Sequence, residues 1–188
     1  MSEAHVTIRS LDELQTWLGD HHSTATSVWL VTFKKHHPDH VPFGDVVEEL
    51  MCWGWVDSSI RRLDADRSMH LISPRRESSA WSAVNKAIVE KMRRLGRMMP
   101  AGEQKIAAAQ ENGMWSFLDD VERLECPADL VAALGEDGMT FWETYPRSVK
   151  RGTLEWIKTA KTAATRSKRI AEVEAACAEN RRPAPFQR

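Results

Sequence analysis

Arg75 and Arg76 stand directly behind Pro74 and ahead of the run Glu77-Ser78-Ser79-Ala80-Trp81-Ser82-Ala83-Val84-Asn85. Guanidinium forks match carboxylate and phosphate oxygens, and the free N–H groups of a helix beginning near Ser78 would add to that pull on an anion. Upstream, Trp55-Val56-Asp57 supplies an aromatic face and a carboxylate. Strand alternation places Trp55, Asp57, Ser59 and Arg61 on one face, with Val56 and Ile60 on the other. Trp55, Asp57, Arg61, Arg75, Arg76, Ser79, Trp81 and Asn85 therefore form a candidate ligand site. In it Arg75 and Arg76 hold an anionic group, the tryptophans stack, and Asp57 with Asn85 orients a polar group. A small anionic or planar ligand suits such a set. The same residues also admit a structural reading. Ser79 or Ser82 then caps a helix, Asp57 pairs with an arginine, and the tryptophans pack in a core.

Other chemistry finds less support. His36, His37, Asp39 and His40 crowd one loop, but metal ligands are normally held on positioned elements with a second layer of hydrogen bonds, so no metal centre is expected. No P-loop, GxGxxG, GxSxG or HExxH pattern occurs, and no cofactor is expected. An enzyme would have to use Asp57 or His70 as its acid or base. Cys52, Cys126 and Cys177 are far apart and odd in number, which favours reduced, buried thiols over disulfides or zinc.

The elements that must carry these residues read as follows. Ser10 and Glu13 make a capping box for a helix that Gly19 would stop. Ser27 to Lys35 is apolar on both faces, as a central strand is. A helix over Asp45–Trp53 follows, closed by Gly54. Trp55–Leu63 and Arg67–Ser73 make a hairpin around Asp64-Ala65-Asp66, and Pro74 ends it. From Ser78 the pattern is helical only. Trp81, Val84, Ile88, Met92 and Leu95 recur as an apolar stripe that Gly96 terminates. Pro100 and Gly113, then Pro127 and Gly135, bracket two further helices, and Asp137 caps the next. Two amphipathic helices, from Ser148 and Ala164, complete the chain. The fold class expected is α+β: a small antiparallel sheet of about three strands with helices, followed by an all-helical C-terminal half. The expected division is an α+β unit over 1–76, a helical unit over 77–180 packed on it, and a frayed tail over 181–188.

Composition agrees with a folded globular chain: 188 residues, 42% hydrophobic and 28% charged. No run approaches the roughly 18 apolar residues of a membrane span. The N-terminus lacks the basic start and apolar stretch of a secretory signal, so the cytoplasm is the expected compartment. Charge alternates along the chain: acidic over 1–60, basic over 61–99, acidic over 100–144 and basic over 145–188, with a net of −1. Two converging basic blocks, the second with Lys150, Arg151, Lys158, Lys161, Arg166, Lys168 and Arg169, would make a nucleic-acid surface. The alternative is that acidic and basic segments face each other, and a net charge near zero favours it.

Gly54-Trp55-Val56-Asp57, then Pro74-Arg75 through Ser79, Trp81, Ser82 and Asn85, then Ala160-Lys161 through Thr165, Arg166, Arg169 and Ile170 carry a family likeness. In this order and spacing the chain resembles the YdeI/OmpD-associated family of bacterial proteins, the bacteriocin-protection or OmdA type. The likeness runs from about Leu11 to Val173. It departs at Val56, where isoleucine is usual, and at Ser58, where glycine is common. The resemblance implies little about mechanism and names no reaction or cofactor; together with the candidate site, the chain reads as a binding or stress-protection module.

Overall fold

The computed structural model describes residues 5–187. Residues 1–4, on which the reading of the N-terminus partly falls, and residue 188 of the expected tail lie outside them. The chain divides into two compact units, Met1–Phe117 and Leu118–Arg188. The expected join near Arg75–Ser79 lies inside the first unit, because two helices beyond it pack on the helix that precedes the hairpin.

The first unit runs β1 (His5–Thr7), α1 (Leu11–His21), β2 (Val28–Phe33), α2 (Phe43–Cys52), β3 (Trp55–Arg62), β4 (Arg67–Pro74), α3 (Ala83–Arg94) and α4 (Pro100–Glu111). The sheet order is β1-β2-β4-β3. β2 pairs antiparallel with β4, and β4 with β3, while β1 lies parallel to β2. The sheet is thus mixed and has four strands, not three antiparallel ones. Three residues of β1 are too few to show a period in sequence, and a parallel pair needs a crossover, which α1 provides. Ser10 caps α1 as expected, accepting from the Glu13 N–H, but the helix continues through Gly19 to His21.

One sheet face carries Val28, Leu30, Ile72 and Trp55, buried against Leu14 and Leu18 of α1 and Val46 and Leu50 of α2. A second apolar cluster joins Met51 at the end of α2 to Trp81, Val89 of α3, and Ile106 and Ala109 of α4. Gly102 makes that junction possible, since a Cβ there would stand 2.2 Å from the Cys52 carbonyl oxygen. Glu49, only 3% exposed, ties the same region together. It accepts from Gln15 Nε2 at 3.0 Å, Trp53 Nε1 at 2.9 Å and Arg97 Nη2 at 2.5 Å.

The second unit contains α5 (Asp119–Glu122), α6 (Ala128–Thr144), α7 (Arg147–Lys158), α8 (Ala163–Ala178) and a 3-10 turn (Ala184–Phe186). The expected break at Gly135 is a kink within α6, where φ is 58°. Ile170, Val173 and Cys177 face inward on α8. In the tail, Pro183 is buried and the Ala184 N–H donates to Glu172. No helix among the described residues is long and apolar enough to cross a membrane.

Candidate functional site

The two apolar clusters of the first unit do not close completely where they meet. A cavity of about 180 Å³ remains. Val47, Leu50 and Met51 of α2 form one wall, Trp55, Val56 and Asp57 of β3 another, and Arg75 and Asn85 the rest. Four of the eight residues singled out from sequence, Trp55, Asp57, Arg75 and Asn85, therefore converge here. The volume is far above the 10–15 Å³ or so that one water needs, and below the 300 Å³ or more of most ligand pockets. It suits a short molecule.

Arg75 is the unusual group. It follows β4, and its backbone N–H pairs with the Gly54 carbonyl at 2.8 Å, so its position is set by the sheet. The residue is 5% exposed. Its guanidinium lies 3.9 Å above the Trp81 ring, and Nη2 donates to the Ala80 carbonyl at 2.5 Å and to Asn85 Oδ1 at 3.4 Å. Nε has no partner. Among the described residues no carboxylate pairs with it. Burial pulls its pKa down to about 10, which still leaves it a cation at neutral pH. An uncompensated buried cation costs several kcal/mol, so a fold keeps one only where something else answers the charge.

Asn85 and Ser82 hold the far side. The Ser82 hydroxyl accepts from the Asn85 N–H, and Asn85 Oδ1 accepts from the Ser82 N–H, which closes a capping box on α3. The helix therefore starts at Ala83, not near Ser78, and its N-terminal donors are partly satisfied from within. Asn85 sits on the half of α3 that also carries Val89 and Met92, both fully buried. Val84 and Leu95, expected on the apolar stripe, are 69% and 58% exposed. The inward face is turned by one position from the expected stripe, so that Asn85 and not Val84 lies on it.

Asp57 is half-buried and, among the described residues, makes no ion pair. The sequence alternative that it pairs with an arginine does not hold. Arg61 leaves the site altogether. Asp57 pairs across to Ile72 but Ile60 to His70, so β3 carries one extra residue between them. Such a bulge reverses the alternation beyond it, and Arg61 emerges on the other face, 4.4 Å above the Trp29 ring. The bulge falls at Ser58 and Ser59, beside the position where the sequence departs from the family pattern. Arg76 is exposed, and its carbonyl accepts from the Ser79 N–H at 3.0 Å in a tight turn. Neither residue lines the cavity. Trp81 is buried beneath Arg75 and packs on Trp115 at 5.1 Å; it is a platform for the cation, not a cavity wall.

Sequence reasoning missed Val47, Leu50 and Met51 as site residues. Their amphipathic spacing on α2 is visible, but spacing alone does not distinguish a core-facing residue from one bordering a cavity. His70, the other acid/base candidate, is 8% exposed and lies flat on Phe43 at 3.7 Å. Burial lowers its pKa, with the Asp57 charge opposing, and no hydrogen bond joins the two. In the histidine loop, His36 bonds Asp66 at 3.0 Å and His40 bonds the Phe33 carbonyl at 2.7 Å. Among the described residues no three acidic, histidine or cysteine side chains converge as metal ligands would. Cys52 is fully buried, and its thiol is pushed up to about 11 mainly by that burial.

The basic residues of both units are largely engaged. Lys91 pairs with Glu48 and Arg93 with Glu103. In the second unit Arg151 bridges Glu122 and Glu155, Lys158 holds Asp120, and Lys150 pairs with Glu143. Arg166 forks onto Asp129 at 2.6 and 2.8 Å, and Arg169 donates to the Trp156 carbonyl. The arginines of the third motif thus bind α8 to α6 and α7.

The first unit is an α+β body with a small cavity built around a buried arginine, and the second is a helical domain. Comparison with known proteins gives the two parts separate relatives. The chain belongs to the family described as domain of unknown function DUF8412, whose model matches residues 6–105. Residues 123–180 match the model of the bacteriocin-protection, YdeI or OmpD-associated family, OmdA. That family is the one the sequence resembles, but its model covers the third motif only. The Gly54–Asp57 and Pro74–Asn85 motifs fall in the DUF8412 match. No curated protein and no solved structure matches the chain.

Proposed function

We propose that this chain is a binding module of the protective type named in the description of its second family, and that its ligand site is the cavity around Arg75. A small anion or the anionic end of a small molecule occupies it. One observation carries the reading: Arg75 is a buried cation with no counter-charge and an unused Nε donor, and it borders an open volume. A bound anion would supply both the missing charge and the missing acceptor. Neither a nucleotide nor a nucleic-acid strand fits about 180 Å³, and ion pairs hold Lys150, Arg151, Lys158 and Arg166 of the second basic block, which leaves less of it for a phosphate backbone. The three free cysteines suit a reducing, cytoplasmic setting.

The test is a thermal-shift titration of the whole chain with acetate, chloride and phosphate at fixed ionic strength, beside Arg75→Met. Saturable stabilisation of the wild type by an anion, absent in the folded variant, supports the site. Equal response of both proteins, or none in either, refutes it.

A further inference from the structure

The cavity holds two opposite charges that do not meet. Arg75 enters beside Gly54, at the open end of the β3–β4 pair, while Asp57 lines the same space from β3. Asp57 stands three residues along the strand from Gly54, about 10 Å of extended chain. No ion pair joins the two side chains, and Asp57 has no cation of its own among the described residues. The bulge after Asp57 removes from this face the arginine that alternation would have placed beside it. Leu50, Met51 and Trp55 give the same cavity apolar walls.

We infer that the ligand is a small zwitterion of the amino-acid class, with its carboxylate on Arg75 and its ammonium group on Asp57. The inference rests on the anion-site reading above and adds the second recognition point. A phosphate or other dianion would satisfy Arg75 but would bring excess negative charge into a cavity already holding the Asp57 carboxylate. A monocarboxylate would leave Asp57 unanswered. A molecule that carries both charges on a short hydrocarbon link neutralises each end and covers the apolar walls. A cavity of about 180 Å³ limits it to a short chain. Asn85, whose Oδ1 is held by the capping box and by Arg75, keeps the arginine oriented and acts as a positioning residue.

The experiment is isothermal titration of the full chain with glycine, β-alanine, 4-aminobutyrate, propionate and propylamine, repeated on Asp57→Asn and Arg75→Met. The expected result is that one of the three zwitterions binds at least tenfold more tightly than propionate. Asp57→Asn should erase that preference while propionate binding survives, and Arg75→Met should lose both. The charge spacing of the preferred compound then measures the gap between the two groups. If propionate binds as well as every zwitterion and Asp57→Asn changes nothing, the zwitterion inference is overturned and the anion site stands. If no carboxylate binds the wild type, the zwitterion inference is overturned and the chloride and phosphate titrations decide the anion site; if binding persists in Arg75→Met, both readings fall together.

Discussion

Replacing Arg75 by methionine separates a ligand-binding arginine from a structural one. The variant loses the charged hydrogen bond to the Ala80 carbonyl, about 1.5–3 kcal/mol, and the contact over Trp81, about 1–2 kcal/mol for a desolvated pair. Against this stands the cost of keeping the guanidinium buried. A pKa held at about 10 corresponds to about 3 kcal/mol against the charged form. Methionine fills much of the same volume without that cost, as apolar replacements of buried charges often do. The opposing effects nearly cancel, and the net change in unfolding free energy should stay under about 2 kcal/mol. Urea denaturation followed by tryptophan fluorescence reads this directly, since Trp81 and Trp115 lie beside the substitution. A loss above about 4 kcal/mol would refute the reasoning, because it would mean that the fold itself answers the Arg75 charge.

Three further outcomes follow from the same geometry. Gly102→Ala drives a Cβ to 2.2 Å from the Cys52 carbonyl oxygen and should cost about 2 kcal/mol or more despite alanine's better helix propensity; a urea midpoint equal to wild type would contradict the close approach of α4 to α2. Glu49→Gln removes the charge that Arg97 and two neutral donors share, with an expected loss of about 1–3 kcal/mol by the same assay. His70, depressed below its ordinary value by burial, takes up a proton less readily folded than unfolded. Its contribution to stability is therefore present above pH 6.5 or so and is lost as pH falls through the lowered folded value. Asp57→Asn should lower that value further, because the Asp57 charge opposes the depression; NMR titration of the His70 ring checks both, and titration at or above the ordinary value would contradict the burial.

Sequence alone determined the parts of this protein that depend on neighbours along the chain. The Ser10 cap, the central position of β2, the hairpin around Asp64–Asp66, the Gly54 and Gly135 breaks and the inward face of α8 each follow from caps, turn residues or period. So did four of the cavity residues, because Trp55, Asp57, Arg75 and Asn85 differ chemically from what a bland strand or helix carries. Tertiary structure decided the rest. Register in β3 depends on one unpaired residue, and that bulge removed Arg61 from the face where alternation had placed it. The inward side of α3 depends on what packs against it, so Asn85 lies with Val89 and Met92 on that side while Val84 lies outside. Above all, nothing local to Arg75 distinguishes it from Arg76. One is buried over Trp81 without a counter-charge and the other is in solvent, because adjacent residues leaving a strand point in opposite directions and only the packing of α2 and α3 gives one of those directions an interior.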